Sequence, residues 1–390
     1  MGSLPLPERD SPTLTLVQPT EDEKIAQWKL NGTSWKGALP NVESYVAREA
    51  YLEQQELTRN GGLTLWVLVD IAAKNRQVLC GCDTYRKKAM MWKDGRVKDV
   101  VSYGIGSVFC PPDKRGKGYA GRMMKELGKI LKTWKLADGE QCLFTTLYSD
   151  IGKKFYANHG WNPYPSSYIS VPASFTLPQS LPAVRALYAP ELAELCTIDE
   201  NLVRQRLELL PKDSKTTVAL TPDVATIRWL HAREEFVGRE VYHKVPDIKG
   251  ALVGTEKGGR VWAIFTRMWY NSDPKATNGN ILYFLRLVIE DKVTDEPTEK
   301  PTDFQESKHT LAIAAIIAFA LNQVKEWGME EVQAWNPTAD VVAAAKYLYP
   351  EAKAINRDEE SIASLMWYGT ETGNNKEDVD WIECEKYVWC

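Results

Sequence analysis

A turn rich in glycine and positively charged residues, placed between an apolar run and a helix, could bind a diphosphate. It comprises Val108, Phe109, Cys110, Arg115, Gly116, Lys117, Gly118, Tyr119 and Ala120. Glycines let backbone N–H groups approach a ligand closely, and the N-terminus of the following helix adds unpaired donors and a partial positive charge. Arg115 and Lys117 add full positive charges. The turn fits neither the Rossmann fingerprint G-x-G-x-x-G nor the P-loop G-x-x-x-x-G-K-[ST].

Two motifs in this chain resemble those of the GNAT superfamily of N-acetyltransferases. Arg115, Gly118 and Ala120 fit Arg-x-x-Gly-x-Ala, which is similar to the superfamily's acyl-CoA loop, Gln/Arg-x-x-Gly-x-Gly/Ala. Downstream, residues 155–161 resemble the second hallmark, Leu/Phe-Tyr-x-x-x-Gly-Phe, and Tyr156 falls on its tyrosine. The order and spacing of the two motifs predict a GNAT domain in the first half of the chain.

The resemblance implies a reaction in which acetyl-CoA is the cosubstrate and the amine of a small molecule attacks it directly in a ternary complex. It implies that the turn and Ser149 bind acetyl-CoA, and that backbone N–H groups at 108–110 polarise the thioester carbonyl. The hydroxyl of Tyr156 would protonate the leaving thiolate. Cys110 has no Asp/His partner in its motif, so we expect a structural thiol rather than a nucleophile.

Several further segments resemble fungal lysine acetyltransferases of the lysine-degradation type, which are tandem GNAT proteins. They are residues 28–32, 103–109 and 118–120 in the first half, and 229–236 and 386–390 in the second. This resemblance implies a lysine-like acceptor, a role in amino-acid metabolism, and a second, degenerate GNAT-like domain after the first.

The general base is not evident from the sequence. Some GNAT enzymes carry a glutamate on the strand before the CoA loop, where this chain has Gly104. Some tandem GNAT proteins direct their C-terminal carboxylate into the first site, so the carboxylate of Cys390 is one hypothesis, and a water chain or desolvation of the amine are others. For binding the acceptor, the predicted residues are Asp83, Tyr103 and Glu234.

The pattern of apolar residues predicts an α/β fold with a mixed sheet. Apolar runs at 63–69 and 100–109 indicate strands, and Met123, Met124, Leu127, Ile130, Leu131 and Trp134 give one apolar helical face. In the second half, 281–290 suggests a strand and 310–327 an apolar helix. A proline-punctuated stretch favours a boundary near 180, with a GNAT domain at 1–180 and a GNAT-like domain at 181–390.

Composition excludes several classes of protein. With 48 Lys and Arg against 52 Asp and Glu, the net charge of −4 does not suit a nucleic-acid binder. The apolar run 311–321 is too short to span a membrane, and the N-terminal residues lack the pattern of a signal peptide. The seven cysteines include no C-x-x-C pair and there are four histidines, so no metal site is expected. We expect a cytoplasmic protein, and the oligomeric state stays open.

Other functions are compatible with the same motifs. The acceptor could be a polyamine or a secondary-metabolite amine, whereas a histone substrate is less favoured because the usual glutamate base is missing. From another class, the chain could be a non-catalytic protein that binds or senses acyl-CoA. The presence of Tyr156 beside the acyl-CoA motif disfavours that alternative, because pure binding needs no acid.

Overall fold

The computed structural model describes residues 6–73, 76–174, 180–292, 307–369 and 379–389. The strands are β1 (Leu14–Val17), β2 (Leu63–Asp70), β3 (Val78–Lys93), β4 (Arg96–Phe109), β5 (Cys142–Ser149), β6 (Asn162–Pro163), β7 (Ser167–Pro172), β8 (Val184–Tyr188), β9 (Thr216–Leu220), β10 (Ile248–Val253), β11 (Val261–Met268), β12 (Ile281–Ile289), β13 (Glu331–Trp335), β14 (Ile355–Asn356), β15 (Ile362–Trp367) and β16 (Val379–Trp381). The helices are α1 (Glu21–Trp35), α2 (Val42–Glu53), α3 (Tyr119–Leu131), α4 (Lys154–Ala157), α5 (Leu192–Glu208), α6 (Val224–Tyr242), α7 (Lys308–Glu326) and α8 (Ala339–Leu348). None of the described helices is both long and apolar enough to cross a membrane.

Two mixed sheets form the frame of the molecule. The first has the strand order β1-β2-β3-β4-β5-β15-β6, and β9 and β16 extend it from the long strand β3. The second has the order β14-β7-β13-β12-β11-β10-β8. In the first sheet β4 and β5 run parallel, and the other neighbours of these two strands are antiparallel. The expectation of an α/β fold with mixed sheets is confirmed.

The two halves of the chain exchange strands. β7 comes from the first half and pairs with β13 in the second sheet, whereas β15 comes from the second half and pairs with β5 in the first. β9 also joins the first sheet, against β3. Because each sheet contains strands of both halves, neither sheet is complete without the other half. The boundary near residue 180 stays a prediction about the sequence.

Each face of the first sheet is covered by a different layer. On one face, α3 buries Met123, Met124, Leu127 and Leu131, all fully enclosed. This is the apolar stripe expected from its helical spacing. On the opposite face, Tyr85 of β3 packs with residues of the second half, including Trp229. Since both faces are buried, β2 is apolar at almost every position rather than alternating.

Candidate active site

An opening forms where the parallel strands β4 and β5 separate. The two strands pair from Val101 to Ile105, and in the described structure the last four residues of β4 pair only with β3. At the point of separation Ser107 adopts φ +52°, a left-handed conformation that is uncommon for a residue with a side chain. The register between β3 and β4 shifts at the same place. The distortion turns the end of β4 away from β5, which leaves backbone groups at 108–110 available to a ligand.

The glycine-rich turn follows this opening directly. Gly116 and Gly118 adopt φ +75° and +81°, and Gly118 is the residue that caps the N-terminus of α3. A Cβ atom at Gly116 would meet nothing within 4 Å, so the turn is open on that side. The Arg115 Nε donates to the Cys110 carbonyl oxygen at 2.9 Å, which folds the turn back toward the strand end. Burial raises the pKa of the Cys110 thiol, so this half-buried cysteine stays protonated.

A groove with several cations continues along α3 from the turn. It is lined by Arg9, Asp10, Gly118, Gly121, Arg122, Lys125, Glu126, Lys129, Phe155 and His159. The close approach of α3 to α4 depends on Gly121, because a Cβ there would lie 2.8 Å from the His159 Nε2. Arg9 comes from the N-terminal segment, and no sequence motif indicated it. Arg9 pairs with Asp10 and Arg122 with Glu126, so Lys125 and Lys129 are the cations of this groove that suit a phosphate group.

Tyr156 lies on the short helix α4, which follows β5. Its side chain is buried in the same cluster as Tyr119, Met123 and Leu147. Burial raises the pKa of the Tyr156 phenol, and the nearby Cys82 and Asp150 raise it further. Cys82 lies on β3 beside the β4 distortion and belongs to the same buried cluster as Tyr156. The hydroxyl therefore stays protonated at neutral pH and can donate a hydrogen bond.

Ser149 holds the turn that presents Tyr156. The Ser149 Oγ donates to the Gly152 carbonyl oxygen at 2.7 Å and accepts from the Ile151 N–H at 3.3 Å. Ser149 was predicted to bind the cosubstrate. The structure gives its side chain a local role, in which it fixes the path from β5 to α4.

Asp83 occupies the other side of the opening, on β3. It lies opposite Gly106 of β4, it is 4% exposed, and its carboxyl group hydrogen-bonds to the Ser107 side chain. Burial raises the pKa of Asp83 to about 7; the Ser107 hydrogen bond opposes the shift, and Glu49 and Glu53 add to it. A buried carboxyl group that titrates near neutral pH is a candidate general base.

Two of the residues that were predicted to bind the acceptor make contacts inside the protein core instead. Tyr103 is 2% exposed and its hydroxyl donates to the Trp134 carbonyl oxygen. Glu234 is fully buried in the second half, where its two carboxylate oxygens contact the Lys249 Nζ at 2.8 Å and the Arg267 guanidinium at 3.3 Å. The assignment of both residues to acceptor binding is therefore corrected, since their polar atoms are engaged by the protein itself.

Replacing Glu234 with glutamine is expected to destabilise the protein without changing the KM for an acceptor. The substitution leaves the Arg267 guanidinium buried without its counter-charge and leaves Lys249 with Glu235 alone, which costs about 3 kcal/mol or more. Denaturant unfolding would measure the loss. Glu235→Gln is the matched control, because Glu235 also pairs with Lys249 but is 27% exposed, and it is expected to cost less. Equal losses in the two variants would contradict this role.

Residues of α2 and α6 form a wall beside the part of β3 that carries Asp83, since the Tyr85 ring lies 5.2 Å from the Trp229 ring of α6 and α6 packs on α2. Arg48 pairs with Glu49 at 2.7 Å, and its guanidinium lies 4.5 Å from the centre of the Tyr45 ring. Arg233 of α6 adds a second guanidinium near Arg48. The negative charge of Asp83 and the positive charge of Arg233 both act on the pKa of the Tyr45 phenol, which burial raises. The wall thus carries the positive charges of Arg48 and Arg233 and the negative charge of Glu49.

The last described residues of the chain lie against the first sheet. The Lys87 Nζ donates to the Val388 carbonyl oxygen at 2.8 Å, and the Tyr387 hydroxyl donates to the Leu220 carbonyl oxygen at 2.5 Å. Both side chains of 387 and 388 are fully buried. Cys390, predicted to supply a catalytic carboxylate, lies outside the described residues, and its role stays a prediction.

Comparison with known proteins gives the same family as the motifs. A family model described as the LYC1 GNAT-like C-terminal domain matches residues 168–390, more than half of the chain. A lysine acetyltransferase of Yarrowia lipolytica is 26% identical over 259 residues, which cover 56% of this chain and 64% of that protein. The aligned region thus spans less than two thirds of that relative. An uncharacterised protein of Saccharomyces cerevisiae, YGR111W, is 21% identical over 94% of this chain and 96% of its own length.

Solved structures share the fold at low sequence identity. N-myristoyltransferase of Saccharomyces cerevisiae with bound myristoyl-CoA superposes with a TM-score of 0.51 and 12% identity, over 94% of this chain and 81% of that one. A conserved protein from Enterococcus faecalis superposes with a TM-score of 0.53 and 11% identity, over 91% and 73% of the two chains. The extent of the family match, together with the two motifs and the fold, decides the assignment. The chain belongs to the LYC1-like GNAT family, whose C-terminal domain makes up residues 168–390.

Proposed function

We propose that this protein transfers the acetyl group of acetyl-CoA to the amine of a small molecule, with a lysine-like acceptor favoured. The observation that carries the proposal is the opening between β4 and β5. There β4 leads into the glycine-rich turn, Asp83 of β3 lies opposite Gly106, and Tyr156 shares a buried cluster with Tyr119 at the start of α3. We assign the binding of acetyl-CoA to a GNAT domain at residues 1–180. Residues 181–390 would form a second, degenerate GNAT-like domain.

The residues at the opening fit the chemical groups of acetyl-CoA. The backbone of 116–120 and the N-terminus of α3 suit the diphosphate, and the cations of the groove along α3 suit the remaining phosphate. The separated end of β4 offers backbone donors at 108–110 for the carbonyl oxygen of the thioester. When bound, acetyl-CoA supplies an activated acetyl group.

Asp83 is proposed as the general base. In water a lysine ε-amine has a pKa of about 10.4, so it must lose a proton before its nitrogen can attack. That first proton passes to solvent. A carboxylate with a pKa of about 7 accepts a proton more readily than an ordinary aspartate does. As the C–N bond forms, the second proton, released from nitrogen, goes to the Asp83 carboxylate. The predicted Cys390 carboxylate is an alternative that a Cys390 deletion would test.

Tyr156 is proposed to act on the leaving group. The C–S bond breaks as the C–N bond forms, and the sulfur takes up the electron pair. Because burial keeps the Tyr156 phenol protonated, its hydroxyl can donate a proton or a hydrogen bond to that sulfur. Atoms and charge then balance, with one proton lost from the amine and one gained by the thiolate.

The lysine-like acceptor rests on two observations. The Yarrowia lipolytica relative bears the name lysine acetyltransferase, and the wall beside Asp83 contains Glu49, whose carboxylate is mostly buried. The test is the release of CoA from acetyl-CoA in the presence of L-lysine, a polyamine and a monoamine, with the acetylated product identified by mass spectrometry. We expect CoA release that depends on the amine and is largest with lysine. Binding of acetyl-CoA without transfer to any amine would instead support a non-catalytic sensor.

Replacing Lys125 and Lys129 together with methionine is expected to raise the KM for acetyl-CoA about 5- to 10-fold. Both side chains line the groove along α3, where they can neutralise a phosphate. The same variant should use acetyl-dephospho-CoA, which lacks the 3′-phosphate, as well as the unmodified enzyme does. Lys132→Met is the control, because Lys132 follows the end of α3 outside the groove. A loss that is equal for both acyl donors would show that the lysines do not contact that phosphate.

A further inference from the structure

One guanidinium in the wall beside Asp83 lacks a counter-charge. Arg233 is only partly exposed, and in the described part of the chain no carboxylate lies within 4 Å of it. Its positively charged neighbour, Arg48, has its own partner in Glu49 at 2.7 Å. Two guanidiniums therefore share this wall with one paired carboxylate, which leaves a positive charge that an anion would balance.

Three buried arginines of the second half do pair with carboxylates. Arg260 pairs with Glu290 at 2.6 Å, Arg267 with Glu234 at 3.3 Å, and Arg286 with Asp199 at 2.6 Å. A partly buried arginine beside a second arginine costs free energy unless something compensates it. Burial first, and then the charge of Arg48, lower the pKa of Arg233 to about 10, so it remains a cation at neutral pH.

Arg357 is the other arginine of this region without a hydrogen-bond partner for its guanidinium. Its three side-chain nitrogens are sealed from solvent, and its guanidinium lies 3.6 Å from the centre of the Trp335 ring. A ligand could reach it only if surrounding side chains moved. Arg233, in contrast, is partly exposed as a residue, and its guanidinium lies 5.6 Å from the centre of the Trp389 ring.

The position of Arg233 relative to Asp83 indicates which kind of anion would bind to its guanidinium. Asp83 and Tyr85 lie on the same face of β3, and the Tyr85 ring is 5.2 Å from the ring of Trp229, which lies one turn before Arg233 on α6. An acceptor with its reacting amine at Asp83 would therefore extend toward Arg233. In an extended lysine the ε-nitrogen and the carboxylate carbon are separated by ~7 Å, given bonds of about 1.5 Å.

We propose that Arg233 is a specificity-determining residue of the site, which binds the carboxylate of the acceptor while the acceptor's amine lies at Asp83. This inference rests on the proposed function and adds the group by which an amino acid is distinguished from a plain amine. A guanidinium presents paired donors to a carboxylate, so the ion pair favours the amino acid over its decarboxylated analogue. It also gives the second half of the chain a direct part in recognising the substrate.

The experiment compares L-lysine with cadaverine, which is lysine without its carboxylate. For the unmodified protein, kcat/KM is expected to be at least about 100-fold higher for lysine, because cadaverine leaves the guanidinium unpaired. In Arg233→Met, kcat/KM for lysine should fall about 100-fold while that for cadaverine stays within about 3-fold. Arg233→Lys should recover part of the loss. Arg239→Met is the matched control, because Arg239 is exposed on the same helix. This substitution should leave kcat/KM unchanged for both lysine and cadaverine.

Equal use of lysine and cadaverine by the unmodified protein would overturn the inference. So would a lysine-specific loss in Arg357→Met that Arg233→Met does not show, since the carboxylate would then lie at the other guanidinium. If Arg233→Met fails to fold, lysinamide replaces the variant. Lysinamide keeps the amines of lysine and lacks its carboxylate, so its use at the same rate as lysine would also overturn the inference.

Calorimetric titration of the protein with lysine separates this inference from the proposed function. If no amine causes CoA release, but lysine binds and Arg233→Met abolishes that binding, the proposed function fails and the carboxylate site stands. If acetyl transfer occurs, but lysine binds no more tightly than cadaverine, the proposed function stands and the carboxylate site fails.

Discussion

Replacing Asp83 with asparagine is expected to lower kcat/KM for the acceptor about 100- to 1,000-fold, the largest loss of any substitution at this site. Asparagine keeps the size of the side chain and a hydrogen bond to Ser107, but it cannot accept the proton of the amine. The measurement is kcat/KM against pH. For the unmodified enzyme it should rise through pH 7, where the Asp83 carboxyl group loses its proton, and this rise should be absent in Asp83→Asn.

The same substitution is expected to stabilise the fold above neutral pH. Because burial raises the pKa of Asp83 from 3.8 to about 7, the folded protein keeps a proton that the unfolded chain has already released. Stability is therefore lost as the pH rises from about 4 to about 7, and the loss is complete above that range. Asp83→Asn removes this dependence, so its advantage in Tm over the unmodified protein should be larger at pH 8 than at pH 5. A kinetic rise through pH 7 that survives in the variant would remove Asp83 from the role of base.

Replacing Tyr156 with phenylalanine is expected to lower kcat about 100-fold, with little change in the KM for acetyl-CoA. The ring stays in its apolar cluster, so the variant loses the hydroxyl alone. Steady-state kinetics with the acetyl donor varied would separate kcat from KM. Circular dichroism would verify that the fold is kept.

Tyr103→Phe is the matched control for Tyr156→Phe. The Tyr103 hydroxyl donates to the Trp134 carbonyl oxygen and takes no part in the site, so its removal should cost stability rather than kcat. A large loss of kcat in Tyr103→Phe together with normal kcat in Tyr156→Phe would contradict the placement of the leaving group.

The sequence predicted the parts of the site that follow each other along the chain. The strand end at 108–110, the glycine turn and the apolar stripe of α3 are contiguous, and each has a local physical signature. The phenol of Tyr156 also belonged to a local motif. Residues in these segments could be named without knowing which strands pair.

The sequence could not predict what depends on contacts between distant segments. Glu234 looked like a free acid beside the site, but Lys249 and Arg267 enclose it from two other strands. The high pKa of Asp83 needs desolvation by surrounding layers, and no sequence pattern records that. The exchange of β7 and β15 between the sheets was missed for the same reason, because strand order is set by pairing across the whole chain.

The central claim is that the glycine-rich turn binds the diphosphate of acetyl-CoA and directs its thioester toward Tyr156 and Asp83. A crystal structure of the protein with bound CoA tests it most directly. We predict the diphosphate against the backbone N–H groups of 116–120, and the sulfur within hydrogen-bonding distance of the Tyr156 hydroxyl, on the side of the opening that faces Asp83. A CoA molecule bound elsewhere, or one whose sulfur lies away from Tyr156, would contradict the account.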